Sequence, residues 1–301
     1  MPKISYFNIT YRCNNDCIFC AADNGDGDNK SELPVTQFEN IITEQNICAG
    51  DRIIINGGEP TVHQNFFDIL AIAKAKGGYI DIYTNGVKLS NISFVKRLMI
   101  YAPMLVRIPI FSANADLHDK LTGRKGNLEK TIRGVSNIIE MQKYANIKLE
   151  IKMLLSKVTY KENLSIAEFF MNTFPSSFFF SINPLIISNR VERNSEILVT
   201  PLSVMMGETS LVIDVILKRK WKLSLGLLPF CIVPSKYHFL IPSFTSKEIT
   251  ENLYADPHIT QQQTLNLCSE KCRLCKYASI CTGFPEGYIK FLGDSEITPI
   301  I

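Results

Sequence analysis

The feature that most constrains this chain is a sustained exchange between two hydrophobic periods. From residue 4 to about residue 188, short runs of β-branched and aromatic residues alternate with longer stretches at helical spacing. The runs predict strands at Ile4–Tyr11, Arg52–Asn56, Tyr79–Thr84, Leu105–Phe111, Lys148–Leu155 and Ser177–Ile186. Helices are expected near Val35–Ile47, Asn65–Lys76, Ile92–Tyr101, Leu128–Tyr144 and Asn163–Thr173. Pro34 ahead of Thr36 suits a helix opening, and Gly77-Gly78 suits a helix stop. A βαβα succession implies parallel strands with right-handed crossovers. Six units are too few for a closed eightfold barrel. The expected fold class is therefore α/β, with a partial (β/α)6 TIM-like barrel at its centre.

A further helix is expected at roughly Pro201–Lys218, after which the rhythm breaks. Leu223–Val233 and Tyr237–Ile241 read as a short hairpin turning at Pro234-Ser235, followed by a polar stretch and a cysteine-rich end. The expected division is 1–221 for the barrel and 222–301 for a small hairpin/loop domain.

Cysteine departs from an otherwise ordinary composition. Apolar residues make up 46% of the 301 and charged residues 20%, as in a globular protein. A net charge of +3 gives no reason to expect nucleic acid as a partner. The N-terminus lacks the apolar run of an export signal, and no stretch offers roughly 20 apolar residues to span a membrane. A cytoplasmic enzyme is the expectation. Of nine cysteines, seven form two tight groups: Cys13, Cys17 and Cys20, then Cys268, Cys272, Cys275 and Cys281. About two hundred residues of core-like sequence separate them, unlike a disulfide scaffold. Clustered thiols in a reducing compartment point to metal. Cys48 and Cys231 stand apart, and Cys48, at a helix end, reads as a buried or inert thiol.

Cys13-x3-Cys17-x2-Cys20 directly follows the first expected strand, at the end of a parallel barrel where chemistry is assembled. Three thiolates can hold three irons of a four-iron cluster and leave the fourth open to a small molecule. A zinc site with His63 as fourth ligand is the competing reading of the spacing.

In the setting TYRCNNDCIFCAAD, with Phe19 before the last cysteine, this loop resembles that of the radical S-adenosylmethionine superfamily. Gly57-Gly58-Glu59-Pro60 ends the second expected strand and resembles the family's glycine-rich motif, which implies a site for the methionine amine. A carboxylate suits an ammonium, and glycines allow close backbone approach. Thr84-Asn85-Gly86 closes the third strand as in many members. SANADLHDKLTGRKGNLEKT, from Ser112, resembles the loop before the fourth helix, including His118-Asp119 and Gly126. By position, Ser112 and Lys152 match residues that bind the ribose and carboxylate. A strand-end serine and a solvated lysine are the bland alternatives.

Cys272-x2-Cys275-x5-Cys281 resembles the core of the SPASM and twitch auxiliary-cluster domains. With Cys231 or Cys268 as fourth ligand, that implies one auxiliary 4Fe-4S cluster. A full SPASM domain carries a further cysteine where residue 285 is proline. A structural zinc site is the alternative for these thiols.

The resemblance as a whole implies reductive cleavage of S-adenosylmethionine to a 5′-deoxyadenosyl radical that abstracts a substrate hydrogen. The expected substrate is a ribosomally made peptide, to be crosslinked, converted to a thioether or epimerised. The barrel begins close to Met1, so leader-peptide recognition would fall to a separate protein. A small-molecule substrate is the runner-up, and a non-catalytic electron-transfer or sensing protein is the reading from another class. The implied reductant is a flavodoxin or ferredoxin. Tyr83 and Tyr288 are possible hydrogen or proton donors.

Overall fold

The computed structural model describes residues 3–22, 31–175, 178–242, 249–254, 269–284 and 286–301. Its strands are β1 (Ile4–Asn8), β2 (Arg52–Asn56), β3 (Tyr79–Tyr83), β4 (Leu105–Ile110), β5 (Lys148–Leu155), β6 (Phe178–Pro184), β7 (Leu223–Leu225) and β8 (Ile249–Tyr254). The helices that link the strands of the barrel are α1 (Val35–Glu44), α2 (Phe66–Ala75), α3 (Ile92–Met99), α4 (Ala115–Thr122), α5 (Asn127–Met141) and α6 (Asn163–Thr173). Then come α7 (Asn189–Arg193), α8 (Ser195–Leu198), α9 (Leu202–Lys218) and α10 (Glu286–Leu292). Strand order is β7-β6-β5-β4-β3-β2-β1-β8, and every pairing is parallel. Strands β1 to β7 are laid down in chain order, each reached by a helical crossover, so they wind one way and curl the twisted sheet into the expected partial barrel.

Register separates two faces. Ile53 lies beside Ile80, Ile82 beside Val106, and Ile108 beside Ile151. These side chains are buried under the helices, in one apolar core with Ile69, Val95, Val135 and Ile166. Burying each such side chain contributes about 1.5–3 kcal/mol. The alternate positions are polar. Tyr83, Arg107 and Glu150 form one row, and Lys152 stands between Pro109 and Ser181 in the next. Arg107 pairs with Glu150 at 2.7 Å and lies over the Tyr83 ring at 4.0 Å. One turn of the pleat lower, Arg52 pairs with Asp81, whose carboxyl burial pushes up to about 6. This side of the sheet thus carries two ion pairs, Arg107–Glu150 and Arg52–Asp81.

Three expectations are corrected. The hairpin is absent: Leu223–Leu225 joins the barrel sheet parallel to β6, and Ser235–Leu240 is a 3-10 turn. A strand delivered by the long crossover α9 is laid parallel to its predecessor, and Pro234 opens the turn rather than a return strand. The sheet has eight strands, because β8, in what reads as a polar connection, adds beside β1. The segment after Ser112 is not all loop. Its α4 is capped by the Asn114 side chain on Leu117 N–H and ends at Gly123 in the left-handed region.

The C-terminal elements pack back onto the barrel. Tyr288 accepts from Leu202 N–H at 2.7 Å and donates to Glu296, which also accepts from Ser203 N–H at 2.9 Å. Together they satisfy the first amides of α9. Tyr288 is therefore a buried capping group, which corrects its reading as a candidate donor in catalysis.

Candidate active site

Residues 9–22 leave β1 and turn over the C-terminal mouth of the sheet, carrying Cys13, Cys17 and Cys20. This loop is held on two sides by backbone. Asp16 N–H and Ile18 N–H donate to Thr122 and Leu121 carbonyls at the end of α4, at 2.8 and 3.1 Å. From β2, Gly58 N–H donates to Thr10 O at 2.7 Å and Glu59 N–H to Arg12 O at 2.9 Å. A Cβ on Gly57 would lie 2.3 Å from Thr10 O, and one on Gly58 2.6 Å from both Arg12 O and Tyr11 O. The two glycines admit the cysteine loop rather than a ligand, which revises the reason given for them from sequence.

Glu59 is buried and satisfied. Its Oε1 accepts from Thr61 N–H at 3.1 Å, Thr61 Oγ1 at 2.5 Å and Thr84 Oγ1 at 2.6 Å; Oε2 accepts from Asn85 N–H at 2.7 Å. Burial raises its pKa, and these donors oppose the rise. Oε2, with a single donor, retains room for an ammonium. Asn85 reaches the cysteine loop as well, donating from Nδ2 to Asn14 Oδ1 at 2.6 Å. Pro60 begins the 3-10 turn that Glu59 caps. The ends of β2 and β3 and the cysteine loop are therefore knit into one surface.

The thiols meet in this surface. Burial pushes Cys13 up to about 11, and the nearby charges of Glu59 and Cys20 push the same way; Cys17 is raised by burial and by both neighbouring cysteines. Coordination to iron deprotonates such thiols outright. Among the described residues no three His, Cys, Asp or Glu side chains converge on one metal ion. A four-iron cluster is ligated at separate corners by thiolates set wider than those around a single ion. Cys13, Cys17 and Cys20 are near enough to act on one another's thiols.

His63 is removed from the candidates: its Nε2 lies 3.0 Å from Leu33 O and its Nδ1 accepts from Asn65 N–H. Phe19 is buried against Phe111, ring centroids 4.4 Å apart, and serves the core beneath the loop. Ser112 is fully buried; it donates to Glu162 at 2.6 Å and accepts from Asn114 N–H at 2.9 Å. Its hydroxyl proton is committed inside the protein, so its expected contact to the ribose would have to break that bond. Lys152 is no solvated lysine. Burial, then Arg107, lowers its ammonium to about 8, and Glu150 pulls the other way. It lies within the polar concave face. His118 and Asp119 are structural: Phe111 N–H reaches His118 Nδ1, and Asp119 accepts from Gly126 and Leu128 N–H.

In the C-terminal segment, burial raises the Cys231 thiol, and Cys281 and Cys272 are the neighbouring thiols that add to it. Gly283 N–H donates to Cys281 Sγ at 3.3 Å. Cys275 follows a 3-10 turn at Glu270–Leu274 that Ser269 caps. Cys268 lies outside the described residues. Cys48 is exposed beside Asp51, which corrects the expectation of a buried thiol. Sequence reasoning missed the chain after β6, where Ser188, Arg190 and Asn194 reach the cysteine loop; contacts this distant in sequence carry no local signal.

A cysteine loop at the C-terminal mouth of a partial parallel barrel, locked to a glycine-glutamate turn, defines a class of radical-generating enzymes. The radical SAM superfamily matches residues 7–169, and the chain belongs to it. It is 30% identical over 137 residues to the mycofactocin maturase MftC of Mycolicibacterium smegmatis, covering 46% of this chain and 34% of that one. It is 26% identical over 161 residues to the AdoMet-dependent heme synthase of Methanosarcina barkeri, covering 54% and 45%. These matches span less than half of either relative. Among solved structures, Streptococcus suis SuiB bound to S-adenosylmethionine superposes with a TM-score of 0.58 at 19% identity, over 74% of this chain and 50% of that one. SuiB has also been solved bound to its precursor peptide SuiA, with a TM-score of 0.57 at 20% identity. These likenesses support the α/β partial-barrel fold. Members of the family are enzymes that use a 4Fe-4S cluster and S-adenosylmethionine. Among the described residues no helix is long and apolar enough to cross a membrane.

Proposed function

We propose that Cys13, Cys17 and Cys20 ligate the 4Fe-4S cluster and that the surface around them binds S-adenosylmethionine for radical abstraction from a peptide. The observation that carries this reading is the joining of the cysteine loop to Glu59 and Asn85 through backbone and side-chain bonds. When bound, the cluster supplies one electron that cleaves S-adenosylmethionine to methionine and a 5′-deoxyadenosyl radical. Gly57, Gly58 and Pro60 set the turn, and Glu59 Oε2 receives the methionine ammonium. Lys152 offers its ammonium to the carboxylate from the concave face. Phe19 backs the loop, and Ser112 would meet the ribose only by giving up its bond to Glu162. The walls of the barrel hold the substrate C–H near the radical and exclude other hydrogen donors.

The C-terminal segment 222–301 is proposed as a SPASM/twitch-like auxiliary domain, although β7 and β8 within it extend the barrel sheet. Cys231, Cys272, Cys275 and Cys281, with Cys268 as the competing fourth thiol, would hold one auxiliary 4Fe-4S cluster. A peptide substrate is favoured by the likeness to the maturase MftC and by that to SuiB, solved with its precursor peptide. The likeness to a heme synthase keeps a small-molecule substrate as the second reading. The electron enters from a flavodoxin or ferredoxin.

The test is anaerobic reconstitution followed by S-adenosylmethionine and a reductant. The wild-type chain yields 5′-deoxyadenosine, and the Cys13→Ala/Cys17→Ala/Cys20→Ala variant yields none. A loaded wild-type protein that produces no 5′-deoxyadenosine refutes the reading.

A further inference from the structure

After β6 the chain turns back across the barrel mouth and meets the cysteine loop on its third side. Ser188 Oγ donates to Cys20 O at 3.4 Å, Arg190 Nη1 to Cys17 O at 3.1 Å, and Asn194 Nδ2 to Ile18 O at 3.1 Å. Three carbonyls of the four-residue stretch Cys17–Cys20 are thus satisfied by side chains of one segment more than 160 residues away. Arg190 does a second thing: Nη1 lies 2.5 Å from Oδ1 of Asp16, the residue preceding Cys17.

The two partners of that ion pair differ. The Asp16 side chain is 64% exposed and Arg190 28%. Water screens the aspartate more than the arginine. A guanidinium stays charged at any working pH, and its planar fork can serve a carbonyl and a carboxylate together.

We propose that Arg190 is a positioning residue for electron delivery: it fixes the peptide between Cys17 and Cys20 and keeps a permanent positive charge beside the ligand Cys17. One electron arriving from an external one-electron reductant makes the ligated loop one charge more negative. A fixed cation beside it stabilises that reduced state over the oxidised one. This inference rests on the assignment of Cys13, Cys17 and Cys20 as ligands.

The experiment is a redox titration of the reconstituted full chain, followed by electron paramagnetic resonance of the reduced cluster, with iron and sulfide counted in each sample. Arg190→Gln keeps a donor for Cys17 O and removes the charge. At fixed potential it lowers the ratio of reduced to oxidised cluster about tenfold, which is about 59 mV for a one-electron couple. Arg190→Lys keeps the charge and holds the ratio within about threefold of wild type. Asp16→Asn shifts the ratio the opposite way, and Asp16→Asn/Arg190→Gln returns it toward wild type. An Arg190→Gln protein with full iron and an unchanged midpoint overturns the proposal. If Arg190→Gln does not retain iron, Arg190→Lys decides: a tenfold fall in the ratio with the charge retained also overturns it. A Cys13→Ala/Cys17→Ala/Cys20→Ala variant that keeps the full iron count of the wild type fails at the ligand assignment instead, a distinct result that removes this inference with it.

Discussion

Gly58→Ala tests the joint on which the site depends. Gly58 sits outside the left-handed region, so alanine meets no dihedral penalty there, and the whole effect is steric. The added carbon would stand 2.6 Å from the carbonyl oxygens of Arg12 and Tyr11 and 2.8 Å from Tyr11 C. All three are backbone atoms, with no flexible side-chain end to swing aside. Overpacking of this kind costs about 1–3 kcal/mol. Displacing the loop also weakens Gly58 N–H to Thr10 O and Glu59 N–H to Arg12 O, at about 0.5–1.5 kcal/mol each. The expected loss is about 2–6 kcal/mol, or roughly 4–12 °C in Tm at about 2 °C per kcal/mol for a chain of this size. Gly207→Ala is the control: it lies within α9, and a Cβ there meets nothing within 4 Å. Relieving glycine in a helix contributes about 0.5–1 kcal/mol, so this variant melts slightly higher. Thermal melts of the metal-free chains and iron counts after reconstitution give the two readouts. A Gly58→Ala protein that melts with wild type and loads full iron refutes the claim that the glycines admit the cysteine loop.

Thr84→Val keeps shape and removes the hydroxyl that donates to Glu59 Oε1 at 2.6 Å. Urea unfolding should show a loss of about 1.5–3 kcal/mol, the value of a hydrogen bond to a charged group; an unchanged midpoint sinks this account of Glu59. Asp81 predicts a pH dependence. Its carboxyl titrates near 6 when folded against 3.8 as the reference, so the folded state binds the extra proton between those values. Stability from this group is therefore complete below about pH 4 and falls as pH rises to about 6, by about 3 kcal/mol at 1.36 kcal/mol per unit. Melts of the metal-free wild type should show that slope, and Asp81→Asn should lack it; parallel pH profiles contradict the assignment. Replacing Cys272, Cys275 and Cys281 with alanine should lower the iron count by about four per chain and leave the signal of the N-terminal cluster. Retention of all iron, or release of zinc instead, removes the auxiliary cluster.

The barrel was legible because each of its units is local. β2, β5 and α6 begin and end where their hydrophobic periods do, and the other predicted elements differ at their ends, where helices and strands fray. What escaped is either short or non-local. β7 has three residues, too few for a period to show. β8 is defined by β1, some 245 residues earlier, and by no pattern of its own. α4, ADLHDKLT, has little apolar face, and only its Asn114 cap and Gly123 stop could have signalled it. Tyr237–Ile241 has strand-like residues, but Pro234 opens it as a 3-10 turn with no facing strand among the described residues.

The candidate site divides along the same line, with a consequence for its chemistry. Cysteine spacing and the Gly-Gly-Glu-Pro turn are short-range patterns, and the sheet carries both to one mouth. The sequence did not reveal that Glu59 would be surrounded by its own donors, or that Ser112 would spend its proton on Glu162. Both groups hold the mouth together before any ligand arrives. A carboxylate already fixed by Thr61, Thr84 and Asn85 loses no rotamer freedom on meeting an ammonium, so its binding energy is not spent on ordering. The same holds for the cysteine loop, whose carbonyls and amides are engaged by α4, by the end of β2 and by the chain after β6. A site held from three sides keeps its geometry when a cluster changes charge. That rigidity, more than the identity of any single ligand, is what the barrel contributes to one-electron chemistry.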